Sequence, residues 1–159
     1  MKIVVKRADR KSIAYSLTPE ELTILIPNDE STDLKLEKAL SGVNGNFSVE
    51  ETMTTEEFQQ IMNNWIEKLQ VKPRKTQLKR MKSKWASCSP EKSVTFNSLL
   101  INMPKEFVDY VICHELLHLK VPNHDKLFKN LLSAYMPNWQ ERISKTIDYV
   151  LAQNNDLEG

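Results

Sequence analysis

Apolar and polar positions alternate at the front of the chain and then switch to a helical period. Lys2 to Arg7, Ser12 to Thr18 and Glu21 to Pro27 are short, rich in Ile, Val, Leu, Thr and Tyr, and partly alternating, which is the pattern of strands with one buried face. Thr18-Pro19-Glu20 reads as a turn between the second and third, because proline presets the dihedral that a turn needs. The expectation is a small antiparallel sheet. Leu34 to Leu40 fits a short helix opening near Ser31 or Thr32, and Ser41 to Thr55, with Gly42 and Gly45 and little periodicity, reads as a loop or hairpin insertion.

The period changes at Thr54. A threonine cap, Glu56 and Glu57 in the first turn, and Phe58, Ile61, Met62, Trp65 and Leu69 at spacings of three and four predict a helix from Thr54 to Leu69, ended by Lys72-Pro73. Thr76 to Ser83 and Ser93 to Met103 look extended, joined by a turn at Ser89-Pro90-Glu91. Pro104 suits a first helical position, and Phe107, Tyr110, Val111, His114, Leu117 and His118 follow on a helical period that must stop near Val121-Pro122. Helices from about His124 to Tyr135 and Asn138 to Ala152 complete a single α+β domain over 1–159. Its parts are N-terminal strands and a variable insertion (1–53), then a helix, a strand pair and a helical core (54–159).

Composition narrows the function only slightly. The chain has 159 residues, 40% hydrophobic and 27% charged, with a formal net charge of +1. Those values describe an ordinary globular protein rather than a disordered or wholly nucleic-acid-binding one. No apolar run approaches the ~20 residues of a membrane span, and the N-terminal sequence does not read as a secretory signal, so the expectation is a cytoplasmic protein with no membrane partner. Cys88 and Cys113 are too few for a disulfide framework and read as free thiols. Charge is distributed unevenly. Asp29 to Glu57 holds eight acids, whereas Lys72, Arg74, Lys75, Lys79, Arg80, Lys82 and Lys84 follow without an intervening acid. On a strand, Arg80, Lys82 and Lys84 would share one face, open to nucleic acid, nucleotide or an acidic substrate, or simply solvated to protect an edge.

The chemistry concentrates in His114-Glu115-Leu116-Leu117-His118, an H-E-x-x-H motif inside a predicted helix. Residues four apart lie on one helical face, so both imidazoles can reach one ion, with Glu115 placed to take a proton from a metal-activated water. His124, the third histidine, follows a Pro122-Asn123 turn and is a candidate third ligand; Glu141 or Asp125 could complete the site instead, and Cys88 is a rival. Cys113 and the indoles of Trp65 and Trp139 read as packing, and Trp85 as core or cleft wall.

Met81-Lys82-Ser83-Lys84-Trp85-Ala86-Ser87-Cys88-Ser89, then Asn97, then Asp109-Tyr110-Val111-Ile112-Cys113 before the motif, then Pro122-Asn123-His124 and Phe128, resemble the YgjP-like metal-dependent hydrolases, zincin-fold proteins related to the WLM and SprT-like metallopeptidases. The resemblance covers about Leu78 to Tyr149, and more weakly the hairpin at Arg10 to Pro27 and the Trp65-Ile66 pair. Lys84 and Ala86 stand where the family usually has Arg and Gly, Lys129 where an aromatic usually follows Phe128, and Ile24 to Thr55 is longer than the family pattern. The resemblance implies one zinc ion per chain held by His114, His118 and His124, Glu115 as general base, and hydrolysis of a peptide or protein substrate. Lys84, Asn97 and Tyr135 are candidates for contacting substrate or supporting the site. A nucleotide or phosphoanhydride hydrolase, or a non-catalytic metal or nucleic-acid binding module, are the alternatives that the basic stretch keeps open.

Overall fold

The structure is a computed structural model that describes residues 2–9, 11–27 and 53–158, with side chains through 152. The expected helix at 34–40 and the insertion at 41–52 lie outside the described residues. The chain divides into two compact units, one of residues 1–48 and 144–159 and one of residues 49–143.

In the first unit three strands, β1 (Lys2–Ala8), β2 (Ala14–Leu17) and β3 (Glu21–Pro27), form a sheet in the order β1-β3-β2. The sheet is mixed, not antiparallel. β2 and β3 make the expected hairpin, with the Thr18 hydroxyl accepting from the Glu21 N–H at 3.1 Å, but β1 pairs parallel to β3, placing Lys2 beside Glu21 and Val5 beside Ile24. The reason lies in the composition of the strands. β3 buries Leu22, Ile24 and Ile26 and so takes the doubly flanked centre, whereas β1 carries Lys2, Lys6 and Arg7 and sits at an edge, where charge blocks further pairing.

The second unit opens with α1 (Thr55–Leu69). Its start is set by the Thr54 hydroxyl, which accepts the Glu57 N–H at 3.1 Å, and by Glu56 and Glu57 next to the positive end of the helix dipole. Phe58, Met62, Trp65 and Leu69 form its buried stripe, and Gln70, at φ 55°, ends it in the left-handed conformation three residues before Pro73.

A second mixed sheet follows, of β4 (Lys75–Lys79), β5 (Ala86–Cys88) and β6 (Ser93–Asn97) in the order β4-β6-β5. The expected pairing of 76–83 with 93–103 is corrected: β4 stops at Lys79 and runs parallel to β6, and the hairpin partner of β6 is the short β5. Again the most apolar strand is central, with Val94 and Phe96 fully buried. A 3₁₀ turn, Ser98–Asn102, replaces the expected continuation of β6 because the Asn97 side chain accepts the Leu99 N–H at 3.0 Å and turns the chain.

Three helices complete the described chain: α2 (Lys105–Leu117), α3 (Lys126–Tyr135) and α4 (Trp139–Glu158). α2 packs against α1, β5 and β6. It buries Phe107, Val108, Val111, Ile112, Cys113, Leu116 and Leu117, leaving one stripe half-exposed, of which Tyr110, His114 and Glu115 are part. Among the described residues no helix is long and apolar enough to cross a membrane.

Candidate metal centre

That half-exposed stripe of α2 carries the motif. His114 lies in its last turn and His118 is the residue that caps it, still in helical geometry at φ −62° and ψ −19°, so the two imidazoles stay on one face. The chain then turns through Leu119 to Val121 and returns by Pro122-Asn123. Asp125 stops the turn by accepting the Phe128 N–H at 3.1 Å as the cap of α3, which leaves His124 on the inner side of the bend.

Three ring nitrogens converge as a result. His124 Nε2 lies 3.0 Å from His114 Nε2 and 2.9 Å from His118 Nε2. The Nδ1 of His118 is 3.1 Å from the Val121 carbonyl, which can only accept, so the hydrogen is on Nδ1 and Nε2 presents a lone pair. His124 Nε2 can offer one hydrogen at most. Hydrogen bonding among three neutral rings therefore cannot satisfy both short contacts to His124 Nε2 at once. Protonating His114 does not resolve the conflict, since burial and the two neighbouring imidazoles push it down to about 4.

A divalent cation does resolve it. Nitrogens bound at about 2.0 to 2.1 Å around a tetrahedral ion lie roughly 3.3 Å apart, close to the spacing found here. The donor set fits: among the described residues, His114, His118 and His124 are the group whose ligand atoms could hold a metal ion together. The cluster rests on Phe128, buried beneath it, whose ring stacks on His118 at 4.5 Å and meets His114 and His124 edge-on at 5.0 and 5.1 Å.

The histidines open into a cleft of about 780 Å³ that Glu115, Lys84, Lys92 and Cys88 also line. Burial pushes the Glu115 carboxyl up to about 7, against the opposing pull of the Lys84 ammonium. Burial likewise raises the Cys88 thiol, with the Glu115 charge adding to it.

The remaining candidates separate clearly. Asn97 is fully buried and does not line the cleft; its amide donates to the Met81 and Lys84 carbonyls at 2.7 and 2.9 Å and so holds the loop that carries Lys84. Tyr135 ends α3 and is not among the cleft-lining residues. Asp125 serves as a cap, and Glu141 lies exposed in the first turn of α4, away from the histidines' ligand cluster. Because β4 ends at Lys79, the expected shared strand face of Arg80, Lys82 and Lys84 does not form. Those side chains project from a pinned loop, and of them Lys84 lines the cleft. Trp65 is buried, Trp85 meets Phe107 edge-on at 5.3 Å, and Trp139, expected in the core, is half-buried over Tyr110.

Two contributors escaped the sequence reading. Phe128 appears there only as a family-like residue and Tyr110 only as that and as a member of the helical period, yet one floors the cluster and the other places its hydroxyl 3.2 Å from His114 Nδ1. For Tyr110 the legible signal was spacing, since it stands four residues before His114 on the same helix.

Comparison with known proteins places the chain in a family. A family model described as YgjP-like, metallopeptidase domain, matches residues 21–148. The solved structure of the metallopeptidase zymogen jannalysin from Methanocaldococcus jannaschii is similar, with a TM-score of 0.53 and 30% sequence identity over 58% of this chain and 96% of that one. No curated protein matches the chain.

Proposed function

The chain belongs to the YgjP-like metallopeptidase family and is a metal-dependent peptidase, and on that premise we propose that it works as a zincin-type enzyme with one zinc ion, three histidine ligands and Glu115 as general base. The observation that carries the reading is the convergence of His114, His118 and His124 beside Glu115 in one cleft.

Zinc suits three neutral imidazoles because it accepts tetrahedral nitrogen donors and keeps a fourth position open in catalytic sites. Held there, the ion supplies a Lewis acid that polarises a carbonyl and acidifies a water. The protein's own residues do the rest. Glu115, adjacent to His114 on the helix and lining the same cleft, takes a proton on its carboxylate as the water attacks the scissile carbonyl, then returns it to the departing amine. Lys84 keeps positive charge at the cleft, where it favours the ionised form of Glu115 in the resting enzyme.

A peptide also suits the shape of the site. β5 is an edge strand of its sheet, and Ala86, Ser87 and Cys88 line the cleft, so an extended substrate can add alongside β5 with its scissile bond at the histidines. The test is Glu115→Gln assayed on a peptide library. The variant keeps the wild-type metal stoichiometry and loses at least about a hundredfold in cleavage rate, the lower bound for a general base. Undiminished cleavage would remove Glu115 from the mechanism.

A further inference from the structure

We propose that Tyr110 is the positioning residue of the metal centre, its hydroxyl accepting the Nδ1 hydrogen of His114 so that Nε2 of that ring is left to bind the ion. The inference rests on the metal reading above and deepens it. His118 has its tautomer set by a backbone carbonyl, as the 3.1 Å contact to Val121 shows. At the Nδ1 of His114, the more buried of the two, stands the Tyr110 oxygen at 3.2 Å. A histidine ligand with its outer nitrogen hydrogen-bonded keeps its ring orientation and is a better donor, and losing that partner commonly costs 10- to 100-fold in metal affinity.

Tyr110 is itself held with unusual redundancy. Its ring stacks on Trp139 at 6.2 Å and an interplanar angle of 12°, with Phe107 tilted against it at 6.3 Å. The Trp139 indole N–H donates to the Ser133 hydroxyl at 3.1 Å, tying the stack to α3. One residue before Tyr110, Asp109 pairs with Arg142 of α4 at 3.1 Å and accepts the indole N–H of Trp65 from α1. Arg142 Nη1 also donates to the Glu106 carbonyl at 3.2 Å. Helix α2 is therefore clamped at the turn preceding His114 by α1 on one contact and the start of α4 on the other. A phenol placed only to fill space would not need its oxygen aimed at the one ring nitrogen that the ion does not use.

Tyr110→Phe separates the hydroxyl from the ring stack. Zinc affinity is read by competition against a chromophoric chelator, with melting curves of the metal-free proteins as the fold control. The expected result is a zinc affinity 10- to 100-fold below wild type with the metal-free melting curve unchanged. Affinity within twofold of wild type would overturn the positioning role while leaving the metal site standing; a wild type that binds no zinc would overturn the metal reading instead. Long-range proton–nitrogen spectra of the zinc-loaded wild type give a second, mutation-free check. Ligation of His114 through Nε2 with Nδ1 protonated supports the assignment, and ligation through Nδ1 contradicts it.

Discussion

Arg142 Nη1 stands 3.1 Å from Asp109 Oδ2, in a pair whose side chains are only 20% and 30% exposed. The pair joins the first turn of α4 to the middle of α2, five residues before the first histidine of the motif, and the other Asp109 oxygen is taken by the Trp65 indole. Replacing Asp109 by Ala leaves the Trp65 indole N–H without this acceptor and takes the carboxylate from Arg142, which keeps the Glu106 carbonyl and the Asn138 side chain. Urea denaturation should show a loss of about 1 to 3 kcal/mol, the usual cost of losing a charged hydrogen bond and leaving a buried indole donor without its acceptor. Wild-type stability in Asp109→Ala would mean that the clamp on α2 is dispensable.

Asn97 gives a second prediction. It is a fully buried polar side chain with three hydrogen bonds, to the Met81 and Lys84 carbonyls and from the Leu99 N–H. Asn97→Ala should lower stability by about 2 to 3 kcal/mol and expose the 80–85 loop to limited proteolysis, because no other side chain can replace both ends of the amide. Proteolysis of the variant at wild-type rate would show that the loop is held by other contacts.

The thiols should behave differently. Cys113 is fully buried, and burial, with the Asp109 charge adding to it, pushes it up to about 12, whereas Cys88 is half-buried in the cleft. Since the thiolate is the reactive form, alkylation of the folded protein near pH 8 should be confined to Cys88 and should reach both cysteines only after denaturation. Mass spectrometry that finds Cys113 modified at the rate of Cys88 in the native protein would contradict the packing of α2.

The residues show why some of this was readable from the sequence and some was not. Thr54, Glu56 and Glu57 act on backbone groups within three residues of themselves, so α1 began where its cap lay and ended at Leu69, where its apolar stripe ran out. The three histidines are equally local: a helical turn and a six-residue return bring them together, and both can be read from spacing. Strand partners are another matter. A period of two says which face of β3 or β6 is buried but nothing about its neighbour, so the parallel pairings of β1 with β3 and β4 with β6 were missed, and β5, three residues long, gave no pattern at all. Asn97 entered as a candidate through the family resemblance, not through its own surroundings. Its actual partners lie 13 and 16 residues away in sequence, out of reach of any local rule.

The central claim is a three-histidine metal site, and metal content per chain tests it most directly, on untagged wild type and on His114→Ala, His118→Ala and His124→Ala separately. One zinc per wild-type chain, lost from each of the three variants, is the predicted result. Zinc retained at full stoichiometry in His124→Ala, or a wild type that binds none when zinc is supplied, would contradict it.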